Sequence, residues 1–175
     1  GSVGAGAGAT VGKVFGMEHA MKGGLGAHCV KLGELLVGAV VAVNCLGDVV
    51  DPASGGILAG ACQQEPFRFL DSEAGLLQQC EKLGNRFAGN TTIGVILTNA
   101  QLTKAQAVKV SSMAHDGYAR TMRPAHTMLD GDTIFTLSVG EVAADLSAVG
   151  ALAAQVMAQA VLTAVREARP LAGFT

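Results

Sequence analysis

Five polar side chains stand at the ends of apolar runs in this sequence: Lys13, Asn44, Thr91, Asp130 and Asp132. Thr91 is the one that could attack a carbonyl. It follows Asn90 and opens Thr91-Thr92-Ile93-Gly94-Val95-Ile96-Leu97-Thr98, a β-branched and aliphatic stretch that reads as a strand. If the Asn90–Thr91 peptide bond were cut, Thr91 would carry both a hydroxyl and a free α-amine, a nucleophile with its own base. An α-amine titrates at roughly pH 7.7–8, low enough to take a proton near neutrality. Without cleavage, Asn-Thr-Thr is an ordinary junction between loop and strand.

Lys13 closes a glycine-rich opening, Gly-Ser-Val-Gly-Ala-Gly-Ala-Gly-Ala-Thr-Val-Gly-Lys. A phosphate-binding loop would need glycine where Ala7 stands and a hydroxyl where Val14 stands, so that reading fails. A dinucleotide fingerprint (Gly4, Gly6, Ala9) is formally present, but no strand can precede it and no helix pattern follows. Asn44 ends a buried apolar run, as a turn amide or as a site residue. Asp130 and Asp132 straddle Gly131 at the mouth of another run, Thr133 to Val139. The spaced acidic ligands of a calcium loop are missing there, which leaves an Asp-Gly turn or a site. Two histidines remain: His115 falls on a helical stripe and His126 in the loop Arg123-Pro124-Ala125-His126-Thr127.

The 175 residues suit one domain with a real core. Half are hydrophobic but only 4% are aromatic, so small aliphatics must build that core. The net charge of −2 and the lack of any lysine–arginine block argue against nucleic acid. Cys29, Cys45, Cys62 and Cys80 form no CxxC pair, so neither a zinc site nor a redox pair is indicated. They read as free, mostly buried thiols of a reducing, cytoplasmic compartment. No cofactor or metal is expected. Leu146 to Val165 is uncharged and long enough to span a bilayer, yet its Ser147, Gln155, Gln159 and Thr163 favour a buried helix over a membrane span.

To position the five residues the chain offers a strand from Lys22 to Leu32 and a run from Glu34 to Val43 that reads as covered on both faces. Val49 to Pro52 reads as a return segment. Residues 53–90 are irregular, with a short helix from Ser72 to Leu83, a strand-like Phe67 and Phe69, and an exposed loop from Asn85 to Asn90 suited to scission. Leu102 to Met122 is a helix whose stripe is Leu102, Ala105, Val108, Ser112, His115, Ala119 and Met122. A second helix covers roughly Ala144 to Ala168. Strands with covering helices make a layered α/β sandwich.

The glycine-rich opening, Val-Ala-Val-Asn-x-x-Gly-Asp, Gly-Asn-Thr-Thr-Ile-Gly-Val and Asp-Gly-Asp-Thr-Ile-Phe, in that order, resemble the self-processing DmpA-like peptidases. That group comprises L-aminopeptidase/D-esterases, β-peptidyl aminopeptidases and nylon-oligomer hydrolases. The resemblance implies an αββα four-layer sandwich of N-terminal-nucleophile (Ntn) hydrolase type. It implies cleavage between Asn90 and Thr91, then hydrolysis of small peptides or peptide-like amides through an acyl-enzyme on Thr91. Asn44 is expected to hold the oxyanion, Lys13 to favour the alkoxide, and Asp130 and Asp132 to orient and charge-balance Lys13 and the new ammonium. It further implies a homo-oligomer without nucleic-acid or membrane partners, and a chain that is the C-terminal part of a longer precursor whose upstream segment is missing here. The alternatives are acyl transfer of the ornithine acetyltransferase (ArgJ) type, whose own cleavage motif is absent, and a non-catalytic glycine-loop binding or assembly module.

Overall fold

A computed structural model describes residues 1–78, 80 and 89–175. In chain order the elements are β1 (Thr10–Val11), β2 (Met21–Lys22), β3 (Gly24–Leu32), β4 (Leu35–Val43), β5 (Asp48–Val50), β6 (Ile57–Ala59), β7 (Cys62–Gln63) and β8 (Arg68–Phe69). There follow α1 (Ser72–Gln78), β9 (Ile93–Ala100), α2 (Lys104–Thr121), β10 (Met122–Arg123), β11 (Thr133–Val142) and α3 (Leu146–Arg166). The helix expected to reach Leu83 is described to Gln78, and Leu83 and Asn85 lie outside the described residues.

The four long strands form one sheet in the order β11-β9-β4-β3. β11 and β9 are parallel, joined through α2, while β9 with β4 and β4 with β3 are antiparallel. Met122–Arg123 pairs with β5, which pairs with β6, in a small second sheet.

Both long helices lie on one face of the main sheet, and α3 is buried along most of its length. Its apolar circumference therefore fills the interior of this chain. α2 turns a different face inward from the expected stripe. Val110, Ala114, Gly117, Tyr118 and Thr121 are buried, whereas Val108 is exposed. Alanines and serines scattered around α2 blur its amphipathic signal, and the large Tyr118 decides which side goes in.

β4 also departs from expectation. Its residues alternate between buried and open, with Val37, Ala39, Val41 and Val43 inside and Leu36 and Val40 outside. The same alternation leaves Ile93, Leu97, Phe135, Leu137 and Val139 exposed. Among the described residues one apolar face of the main sheet is thus uncovered, and the helical layer lies on the other face alone. Two of the thiols, Cys29 and Cys80, are exposed rather than buried.

Candidate active site

Strand directions bring the five candidate residues toward one end of the sheet. Because β9 and β11 run parallel, their starting ends lie side by side, and an Asn90–Asp130 bridge carries the ladder one step further back. β4 runs the other way and ends beside them, so Asn44 follows its last residue where Thr91 precedes β9. The Thr91 N–H donates to the Asn44 carbonyl at 3.0 Å.

The Asn90–Thr91 peptide bond is held on both sides. Its carbonyl oxygen accepts the Gly131 N–H at 3.0 Å and the Thr91 hydroxyl at 2.5 Å. A side chain at residue 131 would not fit, since a Cβ there would lie 2.8 Å from the Thr91 hydroxyl. Glycine between the two aspartates therefore leaves the Thr91 hydroxyl its place.

Lys13 is buried, and its ammonium donates to the Asn44 backbone carbonyl at 3.1 Å and to the Asn44 Oδ1 at 3.0 Å. Two backbone bonds anchor its turn: Gly12 N–H to the Gly47 carbonyl and Lys13 N–H to the Leu46 carbonyl, each 2.8 Å. Gly12 has φ +72° and packs directly on the Ala61 backbone, a place only glycine can take. Burial lowers the Lys13 pKa to about 8, against the opposing pull of Cys45 and the Asp130 charge. Near neutral pH such an amine exchanges its proton readily.

Neither aspartate hydrogen-bonds Lys13, and Asp130 acts on it as the expected charge balance only through its field. Asp130 accepts the Leu46 N–H at 2.9 Å and the Thr127 hydroxyl at 2.7 Å, which ties the turn after β4 to the loop before β11. Asp132 accepts the Thr92 N–H at 3.0 Å. The Asn44 Nδ2 also differs from expectation: it donates to the Gly89 carbonyl at 3.1 Å, one peptide upstream of Asn90. Its Oδ1 accepts from the Thr10 N–H as well as from Lys13.

A pocket of about 360 Å³ opens beside Thr91 and Asn44, walled by Ala5, Gly8, Ala9 and Met17. A larger cavity of about 490 Å³ lies on the uncovered sheet face around Leu36, Val40 and Leu97, and contains none of the five residues. Among the described residues no group of three His, Cys, Asp or Glu could hold a metal ion.

Lys22 shapes the first pocket and escaped sequence reasoning. It is buried, and its ammonium donates to the carbonyls of Gly6 at 3.2 Å, Ala7 at 3.0 Å and Ala9 at 2.5 Å. Three carbonyls of the glycine-rich turn thus face one cation, which fixes the turn that walls the pocket. The available signal was a lysine placed just before Gly23-Gly24 and beyond the glycine-rich stretch.

The sheet with helices on one face and the site at its strand ends have the architecture of an Ntn-type hydrolase. The L-aminopeptidase D-Ala-esterase/amidase of Ochrobactrum anthropi, described as a variant among the Ntn hydrolase fold, superposes with a TM-score of 0.58 at 20% identity, over 87% of this chain and 42% of that one. Residues 1–175 match peptidase family S58, and the chain belongs to that family. An uncharacterised aminopeptidase of Mycobacterium leprae is 42% identical over 193 residues, 99% of this chain and 51% of the relative. The 6-aminohexanoate-oligomer endohydrolase of Kocuria sp. is 30% identical over 182 residues, 95% of this chain and 50% of that enzyme. The chain spans about half the length of these curated relatives.

Proposed function

We propose that this chain carries the catalytic centre of a self-processing amidohydrolase of aminopeptidase type, with Thr91 as nucleophile. The observation that carries the reading is the clamp on the Asn90–Thr91 bond: its carbonyl meets the Gly131 N–H and the Thr91 hydroxyl, and its N–H meets the Asn44 carbonyl. In the first reaction the Thr91 oxygen bonds to the Asn90 carbonyl carbon as the hydroxyl proton leaves. The carbon–nitrogen bond then breaks and the Thr91 nitrogen gains a proton to become an amine. Water hydrolyses the resulting ester, leaving a carboxylate on Asn90 and a free hydroxyl and amine on Thr91.

The Gly131 N–H stands where the negative charge develops on the Asn90 oxygen, within the 2.7–3.1 Å that typical oxyanion donors keep. Lys13, with its pKa near 8, donates to the same Asn44 carbonyl as the Thr91 N–H, so its charge lies beside the nucleophile and favours the Thr91 alkoxide. The proton given up by the hydroxyl is the one the leaving nitrogen takes. Departure of Gly89 and Asn90 after the cut frees the Asn44 Nδ2 to hold the oxyanion of a substrate amide, with the Thr91 amine as base. The substrate class is a small peptide or peptide-like amide, and no cofactor takes part. The uncovered apolar sheet face supports assembly into a homo-oligomer.

Denaturing mass spectrometry of the complete natural polypeptide is expected to give one piece ending at Asn90 and another beginning at Thr91, while Thr91→Ala stays intact. A single intact mass for the unaltered protein after long incubation would sink the reading.

A further inference from the structure

His126 belongs to no step described above, yet it stands against the site. Its backbone is left-handed, with φ +55°, a conformation that costs a β-carbon residue energy and that surrounding structure must impose. This turn carries the ring back toward Asp132, and the His126 Nδ1 lies 3.3 Å from the Asp132 Oδ2. The other carboxylate oxygen holds the Thr92 N–H, one residue past the nucleophile. Oδ2 is buried and makes no aligned hydrogen bond, so the imidazole is the group at ion-pair distance from it. The Asp132 side chain is 2% exposed and that of His126 is 39% exposed, so the pair runs from the buried site to solvent.

We infer that His126 is a positioning residue: its ring, 3.3 Å from the Asp132 Oδ2, holds the Asp132 carboxylate in place, and Asp132 fixes the Thr92 N–H and with it the seat of Thr91. This rests on the proposed role of Thr91. The opposing forces are on the page. Burial, and then the charge of Asp130 across Gly131, push the Asp132 carboxyl upward, while the Thr92 N–H, the His126 ring and the His126 backbone N–H pull it down. On the other side of the imidazole, His115 lies 4.9 Å away ring to ring and Tyr118 6.1 Å. Burial, and then the neighbouring His126, lower the His115 pKa, against the pull of Asp132 and Asp116. His115 therefore favours its neutral form.

The Thr92 amide proton reports this directly, because its NMR shift follows the charge of the carboxylate it binds. His126→Asn keeps a side-chain N–H and suits a left-handed backbone, and His126→Ala removes both donor and charge. Both variants are expected to raise the pH midpoint of the Thr92 amide shift by at least about half a unit. Both are expected to slow self-cleavage at pH 6 in step with that shift, about threefold for half a unit, and to recover by pH 8, where Asp132 is ionised in either variant. An unmoved midpoint in His126→Asn would overturn the pairing, and a moved midpoint with unchanged cleavage rates would overturn its role in the reaction. Should the unaltered protein never cleave itself, the self-processing reading fails while the amide titration still judges the pair. If His126→Ala does not fold, His126→Asn decides.

Discussion

Lys13 is held in the interior by an asparagine alone. Below pH 8 the folded protein carries a buried ammonium whose hydrogen bonds go to one carbonyl and one amide oxygen, with no carboxylate at ion-pair distance among the described residues. A cation so placed costs stability. Its folded pKa of about 8 lies below the ordinary 10.5, so between these values the unfolded chain binds more protons and stability rises with pH. Lys13→Met should therefore raise the melting temperature at pH 7 by about 2–4 °C, roughly what 1 kcal/mol does in a chain of this size. That gain should shrink as pH approaches 10, while self-cleavage falls at least about a hundredfold throughout. Scanning calorimetry at several pH values, with gel-based cleavage rates, checks both halves. That the five candidate residues gather in space was legible from their places at element ends and from the family resemblance. The partners of the two aspartates were not, since they depend on folding. Nothing in Arg-Pro-Ala-His-Thr announces the left-handed turn that returns His126 to Asp132.

At the scale of elements, Asp48 on β5 does for the connector what the aspartates do for the site. Its buried carboxylate accepts the Ala61 N–H at 2.8 Å, the Ser72 hydroxyl at 2.6 Å and the Ser72 N–H at 2.7 Å. β5, the turn before β7 and the start of α1 are thereby joined at one side chain. Burial raises its pKa, and its hydrogen bonds with Ser72 and Ala61 oppose that rise. Asp48→Ala leaves buried donors without acceptors and should cost about 2–4 kcal/mol, seen as a lower urea midpoint. Asp48→Asn should cost less. Strand positions were readable from β-branched runs, but facing was not. The run through β4 reads as doubly covered, because a continuous apolar sequence looks alike whether its second cover comes from the same chain or from elsewhere. α2 was located correctly and turned wrongly, since small residues all round leave only Tyr118 and Val110 to mark the inner side.

Across the whole molecule, the Asn90–Thr91 bond divides the sheet in an unusual way. β3 and β4 lie before it, whereas β9, β11, α2 and α3 lie after it. β4 nevertheless pairs with β9 along six registered positions, and α3 covers β3 and β4. A cut at this bond therefore severs the backbone without opening the core. The two pieces become subunits of one interior, neither of which can bury its apolar surface alone. Melting then changes order: the uncut chain unfolds in a unimolecular step, and the cut molecule unfolds by dissociation. For each tenfold dilution its melting temperature should fall by about 3–5 °C more than that of Thr91→Ala, the effect of about 1.4 kcal/mol for the extra dissociation. Calorimetry at two concentrations tests this. The same reaction that creates the catalyst would make its persistence depend on how much of the protein is present.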